Sequence, residues 1–210
     1  MIRILIADDH AIVRKGLMQI LMDSTEPVTV DEAESGVEAL DKADANDYDL
    51  FLLDISMPGR GGLDVLKEIK VRRPGLPVLM LSMHPEEQYA IRCLRAGAAG
   101  YLTKESAADE LLAAIRKVLA GGSYVSVSLA EKLATSLKKS SEKLPHEILS
   151  DREYQVLCKI ASGKPPTAIA EEMSLSVKTV STYRARLLDK MNMKNNAELT
   201  HYAINNKLVD

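Results

Sequence analysis

Apolar residues in the first 120 positions fall into short, nearly unbroken runs separated by longer stretches where they recur at helical spacing. Ile2–Ala7, Leu50–Leu53 and Val78–Leu81 are runs of the kind that form strands covered on both faces in a parallel sheet. Val28–Val30 is a shorter second strand, and Gly100–Lys104 a brief fifth. Between them, Ala11–Met22 brings Ile12, Val13, Leu17, Ile20 and Leu21 to one helical face. Glu38–Ala45, Leu63–Arg73, Glu86–Ala96 and Ala107–Ala120 read as further helices, with stops at Pro74-Gly75, Gly97 and Gly121-Gly122. Strands alternating with helices predict a doubly wound α/β domain, a (βα)5 unit over residues 1–121. Right-handed crossovers then favour a flavodoxin-like order, which sets strand one beside strand three.

The pattern changes after Ser126. Leu129, Leu133 and Leu137 keep helical spacing, but Lys138–Lys143 is polar and Pro145 follows. We read residues 122–147 as a helix running into a linker; the polar run is alternatively the solvated face of a single helix. From residue 148 to 210 every segment is helical in pattern. Tyr154, Leu157, Cys158 and Ala161 share a face behind the capping box Ser150-x-x-Glu153. Gly163–Pro166 breaks the chain, Thr167–Met173 is a short helix, and Ser174-Leu175-Ser176 is a turn. Val177–Met191 and Ala197–Asn206 complete an all-α unit with a helix-turn-helix layout. Leu175, Val177, Val180 and Leu187 are expected on the packed side of that arrangement.

Composition narrows the class. A chain of 210 residues holds one large domain or two small ones, and its ordinary charged and apolar fractions argue against general disorder. No apolar run approaches the roughly 20 residues of a membrane span, and Met1–Ile4 lacks a signal-peptide layout. A cytoplasmic protein is expected. Cys93 and Cys158 have no second Cys or His at ligand spacing and read as packed thiols. Residues 1–120 carry 14 Lys or Arg against 20 Asp or Glu, while residues 150–210 carry 9 against 7. An acidic first part and a mildly basic last part suggest different partners.

The chemistry gathers at strand ends. Asp8 and Asp9, Asp54, Ser82 and Lys104 each follow an apolar run, at the edge where open parallel sheets bind ligands. Singly, each has a plain explanation, an acid as a helix cap or a lysine in solvent. Two adjacent acids cannot both be the same cap, and three carboxylates close together repel unless a cation lies between them. Oxygen donors of this kind suit Mg²⁺.

This order of residues resembles the receiver domain of two-component response regulators over residues 1–120. The resemblance implies that Asp54 accepts a phosphoryl group from a phosphohistidine on a sensor histidine kinase. It implies Mg²⁺ bound by Asp9, Asp54 and the Ser56 carbonyl directly, and by Asp8 through water. Lys104 would pair with the acyl phosphate, and Ser82 and Tyr101 would act as switch residues. Glu105 stands where many receivers have proline after a cis bond, an isomer costing about 2.5–4 kcal/mol for other residues. Gly61-Gly62 makes the loop after Asp54 rich in glycine, which suggests altered mobility there.

Leu149–Glu153, Gly163, Ile169-Ala170, Ser176–Val180 and Lys190-Met191 resemble the LuxR-type helix-turn-helix, and the two parts together resemble the NarL/FixJ class. That implies double-stranded promoter DNA as partner, met by Lys178, Thr179, Ser181, Thr182, Arg184, Arg186 and Lys190. Lys178 and Arg184 are expected on phosphates, Ser181 and Thr182 on base edges or methyl groups. Leu199, Tyr202, Ala203 and Ile204 lie where the family dimerises. Tyr183, Pro165-Pro166 and Asn196 depart from the usual residues. The expectation is a transcription regulator controlled by phosphorylation, a homodimer when phosphorylated, and not an enzyme. Two other readings are a Mg²⁺-dependent phosphatase working through an aspartyl-phosphate and a regulator acting by protein contact alone. The first is weakened by Ser56, where haloacid dehalogenase-type phosphatases carry a second acid.

Overall fold

The computed structural model describes residues 1–24, 27–83, 86–127, 129–131 and 144–209, without the side chains of Glu87 and Gln88. They form two compact units, Met1–Ala130 and Glu131–Asp210. In the first, β1 (Ile2–Ala7), β2 (Val28–Ala33), β3 (Leu50–Asp54), β4 (Val78–Ser82) and β5 (Gly100–Thr103) make one sheet in the order β2-β1-β3-β4-β5. All four pairings are parallel, so β1 lies beside β3 as the flavodoxin-like order requires. β2 continues past Val30 through Asp31, Glu32 and Ala33. It is an edge strand, where charge is tolerated and blunts further pairing, so its far half carries no apolar signal.

Helices α1 (Ala11–Met22), α2 (Gly36–Ala45), α3 (Gly62–Arg72), α4 (Glu86–Arg95) and α5 (Ala107–Leu119) cover the two faces. Alternation along the strands sends Ile4, Ile6, Leu50, Leu52, Leu79 and Leu81 to the face closed by Leu17 and Leu21 of α1 and Leu111, Ile115 and Val118 of α5. Each such side chain contributes about 1.5–3 kcal/mol by leaving water. Ile12, expected in this core, is 82% exposed, and Arg14 takes the inward place beside Leu17 and Leu21. Helix α2 opens at Gly36, earlier than Glu38, because the Ser35 hydroxyl caps it by accepting the Glu38 amide at 3.3 Å.

The chain stays on this unit beyond α5. The Tyr124 amide donates to the Ala99 carbonyl at 2.9 Å, and the Tyr124 carbonyl accepts from the Tyr101 amide at 3.2 Å. Leu129 is buried, whereas Leu133, Leu137 and the Lys138–Lys143 run lie outside the described residues. Among the described residues, no helix is long and apolar enough to cross a membrane, and the peptide bonds are trans, Lys104–Glu105 included.

The second unit holds a 3-10 turn (Pro145–Ile148) and helices α6 (Asp151–Ala161), α7 (Pro166–Glu172), α8 (Val177–Lys190) and α9 (Asn196–Asn205). Helix α7 begins on the prolines: Pro166 occupies its first turn, where a fixed φ suits the helix and no amide hydrogen is needed. Helix α6 is the centre, with Tyr154, Val156, Leu157, Cys158 and Ile160 all buried. Its capping box is formed, Ser150 Oγ accepting the Glu153 amide and Glu153 Oε2 accepting the Ser150 amide at 2.8 Å.

Glu153 is only 2% exposed, and the same Oε2 takes Lys190 Nζ at 2.7 Å. Burial pushes this carboxyl up, but Lys190 and the Ser150 amide and hydroxyl outweigh it and hold it below 4.5. A depressed folded value means stability that is present above the ordinary carboxylate range and lost as pH falls through it. Lys190→Met is therefore expected to cost about 1–3 kcal/mol near pH 7, the penalty of a buried polar group left without its partner. Urea unfolding read at pH 7 and again near pH 3 checks this, since the difference should shrink at the lower pH. An equal loss at both would sink it.

Candidate functional site

The strand register builds the site. Ala7 pairs with Leu53, Asp54 with Leu81 and Ser82 with Thr103. The residue after β1 is Asp8 and the residue after β5 is Lys104, so Asp8, Asp54, Ser82 and Lys104 gather at the carboxyl edge within two positions of register. Asp8, Asp54 and Ser82 are fully buried. Lys104 Nζ reaches between the acids, 2.7 Å from Asp8 Oδ2 and 3.1 Å from Asp54 Oδ2. Its own amide donates to the Ser82 carbonyl at 2.8 Å.

One ammonium does not balance this much negative charge. Asp8 Oδ2, Asp9 Oδ1 and both oxygens of Asp54 are buried without a well-formed hydrogen bond, so Lys104 meets the acids chiefly as a charge. Burial pushes the Asp54 carboxyl up to about 6; Lys104 opposes this, Asp8 adds to it, and the Ser56 amide opposes it. Buried carboxylate oxygens lacking partners are expensive. The ligand atoms of Asp8, Asp9, His10 and Asp54 all lie within 4.8 Å of one another. A hard divalent cation fits that donor set, because it would satisfy the orphaned oxygens.

Three neighbours were not among the site residues read from the sequence. Arg14 is 5% exposed and spans from α1 to β2, with Nε on Glu32 at 2.8 Å and another nitrogen on Glu34 at 2.6 Å. A third donates to the Asp8 carbonyl at 2.8 Å, which fixes the turn that carries the acids. The signal was a charge at the i, i+3, i+7 spacing of Arg14, Leu17 and Leu21. His10 puts Nδ1 2.9 Å from Asp9 Oδ1 and 3.3 Å from Asp8 Oδ1. Gly62, read as a loop residue, is buried at the start of α3. Tyr101, by contrast, sits as expected on β5; it is fully buried and lies in reach of Ser82. Its burial raises the phenol, and a hydrogen bond from Ser82 opposes the shift.

In the second unit, α8 buries Val180 and Leu187 and leaves Lys178, Ser181, Thr182 and Arg186 exposed. Val177, expected among the packed residues, is 43% exposed; it stands in the first turn, where the Ser176 hydroxyl caps the helix through the Thr179 amide at 3.0 Å. The hydroxyls of Ser181 and Thr182 donate to the carbonyls of Val177 and Lys178, at 2.9 and 3.0 Å. Arg184 uses Nε on Asn196 Oδ1 at 2.6 Å, which gives the unusual asparagine a role in orienting the guanidinium. Lys190, grouped with the exposed cations by sequence, is exposed and also pairs with Glu153. Ser174 turns the chain between α7 and α8 with φ of 51°.

Comparison with known proteins agrees with both halves. The model of the response regulator receiver domain matches residues 4–116, and that of the bacterial regulatory proteins of the luxR family matches residues 147–203. Over 209 residues the chain is 38% identical to the response regulator UvrY of Escherichia coli K12, covering 99% of this chain and 96% of that protein. It is also 38% identical, over 210 residues, to the response regulator GacA of Pseudomonas protegens, covering 100% of this chain and 99% of the relative. The structure of RcsB from Salmonella enterica serovar Typhimurium, bound to promoter rprA in the presence of phosphomimetic BeF3-, matches with a TM-score of 0.65 at 27% identity. That match covers 96% of this chain and 98% of the RcsB chain.

Proposed function

This chain belongs to the response regulators that join a receiver domain to a LuxR-type helix-turn-helix, and on that premise we propose that phosphorylation of Asp54 is what controls it. The protein is a DNA-binding regulator of transcription rather than an enzyme, which sets aside the phosphatase reading. The observation that carries the Asp54 assignment is a fully buried carboxylate with neither oxygen in a well-formed hydrogen bond, at the sheet edge beside Lys104 and Asp8. Lys104 lies nearest Oδ2, which leaves Oδ1 as the attacking oxygen. That oxygen bonds to phosphorus as the P–N bond of the kinase phosphohistidine breaks and the imidazole leaves with the electron pair.

Asp9, Asp54 and the Ser56 carbonyl would hold Mg²⁺ directly and Asp8 through water; when bound, the ion neutralises phosphoryl oxygens. Lys104 then pairs with the acyl phosphate. Ser82 releases Tyr101 and turns its hydroxyl to the new oxygens, because a phosphoryl group adds up to two negative charges where a hydroxyl donor already stands. Tyr101 is the strand residue whose amide holds Tyr124, so the rearrangement begins beside the segment that follows α5 on the receiver. Phosphotransfer from the kinase to the full chain, followed by mass-spectrometric mapping of borohydride-trapped acyl phosphate, tests the assignment. Label on any other carboxylate overturns it.

The output is promoter binding by a homodimer in the cytoplasm, with α8 in the major groove. Lys178, Arg184 and Arg186 take phosphates. Ser181 and Thr182 have spent their hydroxyl hydrogens inside the helix, so they present oxygen acceptors, which suit the amino groups of cytosine and adenine. Thr179 supports the helix start, and the exposed Ile204 of α9 faces the partner copy. Lys178→Ala is expected to weaken binding evenly across sequences and lower the salt-dependence slope by about 1. A series of binding titrations at rising salt checks it; an unchanged slope removes Lys178 from the phosphate contacts.

A further inference from the structure

We propose that His10 adds an imidazole nitrogen to the acid cluster, so that the site takes divalent transition ions more tightly than a purely carboxylate site would. The inference rests on the reading that Asp8, Asp9 and Asp54 hold a divalent cation, and it deepens that reading by naming a fourth donor and a class of metal. Around a six-coordinate ion with bonds of about 2.1 Å, adjacent ligand atoms lie about 3.0 Å apart and opposite ones about 4.2 Å. His10 Nδ1 stands 2.9 Å from Asp9 Oδ1, an adjacent-ligand separation, and 3.3 Å from Asp8 Oδ1, the acid that would reach the ion through water. The whole set, Asp54 included, spans no more than 4.8 Å.

The close approach is not an ordinary hydrogen bond. Asp9 Oδ1 is buried and accepts none, in spite of the imidazole nitrogen beside it. The fully buried Asp54 likewise has no well-formed hydrogen bond, and one of its oxygens lies within 4.8 Å of the ligand atoms of Asp8, Asp9 and His10. The imidazole is held there by its main chain. The His10 amide donates to Asp8 Oδ1 at 2.9 Å, and its carbonyl accepts the amides of Val13 and Arg14 at 3.0 and 3.2 Å as the cap of α1. The ring is 61% exposed, which leaves water positions on the ion. Mixed imidazole and carboxylate donors shift preference from Mg²⁺ toward Zn²⁺, Co²⁺ or Ni²⁺.

Calorimetric titration of the full chain with Mg²⁺ and with Co²⁺, beside His10→Gln and Asp9→Asn, separates the claims. His10→Gln is expected to lower the ratio of Co²⁺ to Mg²⁺ affinity about tenfold, since even groups one shell further out change metal affinity by 10–100-fold. Pulsed EPR of the Mn²⁺-loaded chain should show a nitrogen coupling that His10→Gln removes. Mg²⁺ binding that Asp9→Asn weakens, without any nitrogen coupling, overturns the role of His10 alone. A coupling that persists in His10→Gln does the same, by assigning it to another histidine. Absence of Mg²⁺ binding to the parent chain overturns the acid cluster as a cation site and the proposal with it.

Discussion

Asp54→Asn is expected to take up no acid-labile phosphate from a small acyl-phosphate donor, and in metal-free buffer near pH 7 to be more stable than the parent chain. The first half follows from chemistry, because a carboxamide lacks the nucleophilic oxygen anion. The second follows from burial. The Asp54 carboxyl is raised to about 6, against an ordinary value near 4, so between those values the folded state holds a proton that the unfolded chain has lost. Stability therefore falls as pH rises through that window. At neutral pH the ionised carboxylate costs on the order of 2–3 kcal/mol relative to its protonated form. Asparagine removes the charge, so its advantage should appear as pH rises from about 4 to about 6 and persist above. Added Mg²⁺ should narrow the gap, since it binds the parent carboxylate and stabilises the folded state in proportion to its saturation. Urea unfolding of both chains at pH 4.5 and 7.5, with and without Mg²⁺, reads all three statements. A variant that is less stable at pH 7.5 without metal would show that Lys104 already compensates Asp54.

The strain at Asp54 has a structural counterpart in Arg14. Three of its donors go to Glu32, Glu34 and the Asp8 carbonyl, so the turn bearing Asp8, Asp9 and His10 is anchored to the edge strand instead of relaxing away from its neighbours. Repelling carboxylates stay together only when the backbone carrying them is fixed. The unfavourable charge is thus kept in place for a ligand to relieve, which is the arrangement a site needs if phosphate and cation are to bind with gain.

How far this was legible varies by residue and for physical reasons. Asp54, Ser82 and Lys104 could be read because each ends or follows a strand whose apolar run is itself the signal, and a parallel sheet brings all its strand ends to one edge. The capping box of Ser150 and Glu153 was legible because it is local. Lys190 was not: a helical face shows which residues point outward, but not that a long side chain folds back to a buried acid 37 positions earlier. Ile12 and Val177 misled in the same way. Both stand in first turns, at the apolar spacing of their helices, yet each projects beyond the surface its helix packs on. The end of β2 was hidden because edge strands are written in polar residues. Pro165-Pro166, read as a chain break, also starts α7.

Gly62 was legible as a letter but not as a constraint. Beside Gly61 it suggested a loose loop, whereas a methyl group placed on Gly62 would stand 1.9 Å from the Asp54 carbonyl oxygen, 2.8 Å from its carbon and 2.9 Å from Ile55 Cα. The residue is pressed against the backbone of the acceptor strand, and its amide donates to the Ile55 carbonyl at 3.0 Å. Every atom in that contact belongs to the main chain, so no rotamer change relieves it. Gly62→Ala is accordingly expected to cost at least about 3 kcal/mol, the upper part of the range for overpacking. Whatever fraction folds must move the Asp54–Ile55 backbone, and its rate of phosphate uptake should fall with it. Gly75→Ala is the matched control: it has open space around it and no left-handed φ, so its effect should stay within about 0.5 kcal/mol. Urea midpoints of the two variants, with acyl-phosphate labelling of the folded protein, decide the matter. If Gly62→Ala unfolds where Gly75→Ala does, the loop after Asp54 yields more easily than its contacts imply, and the acceptor is not held by the start of α3.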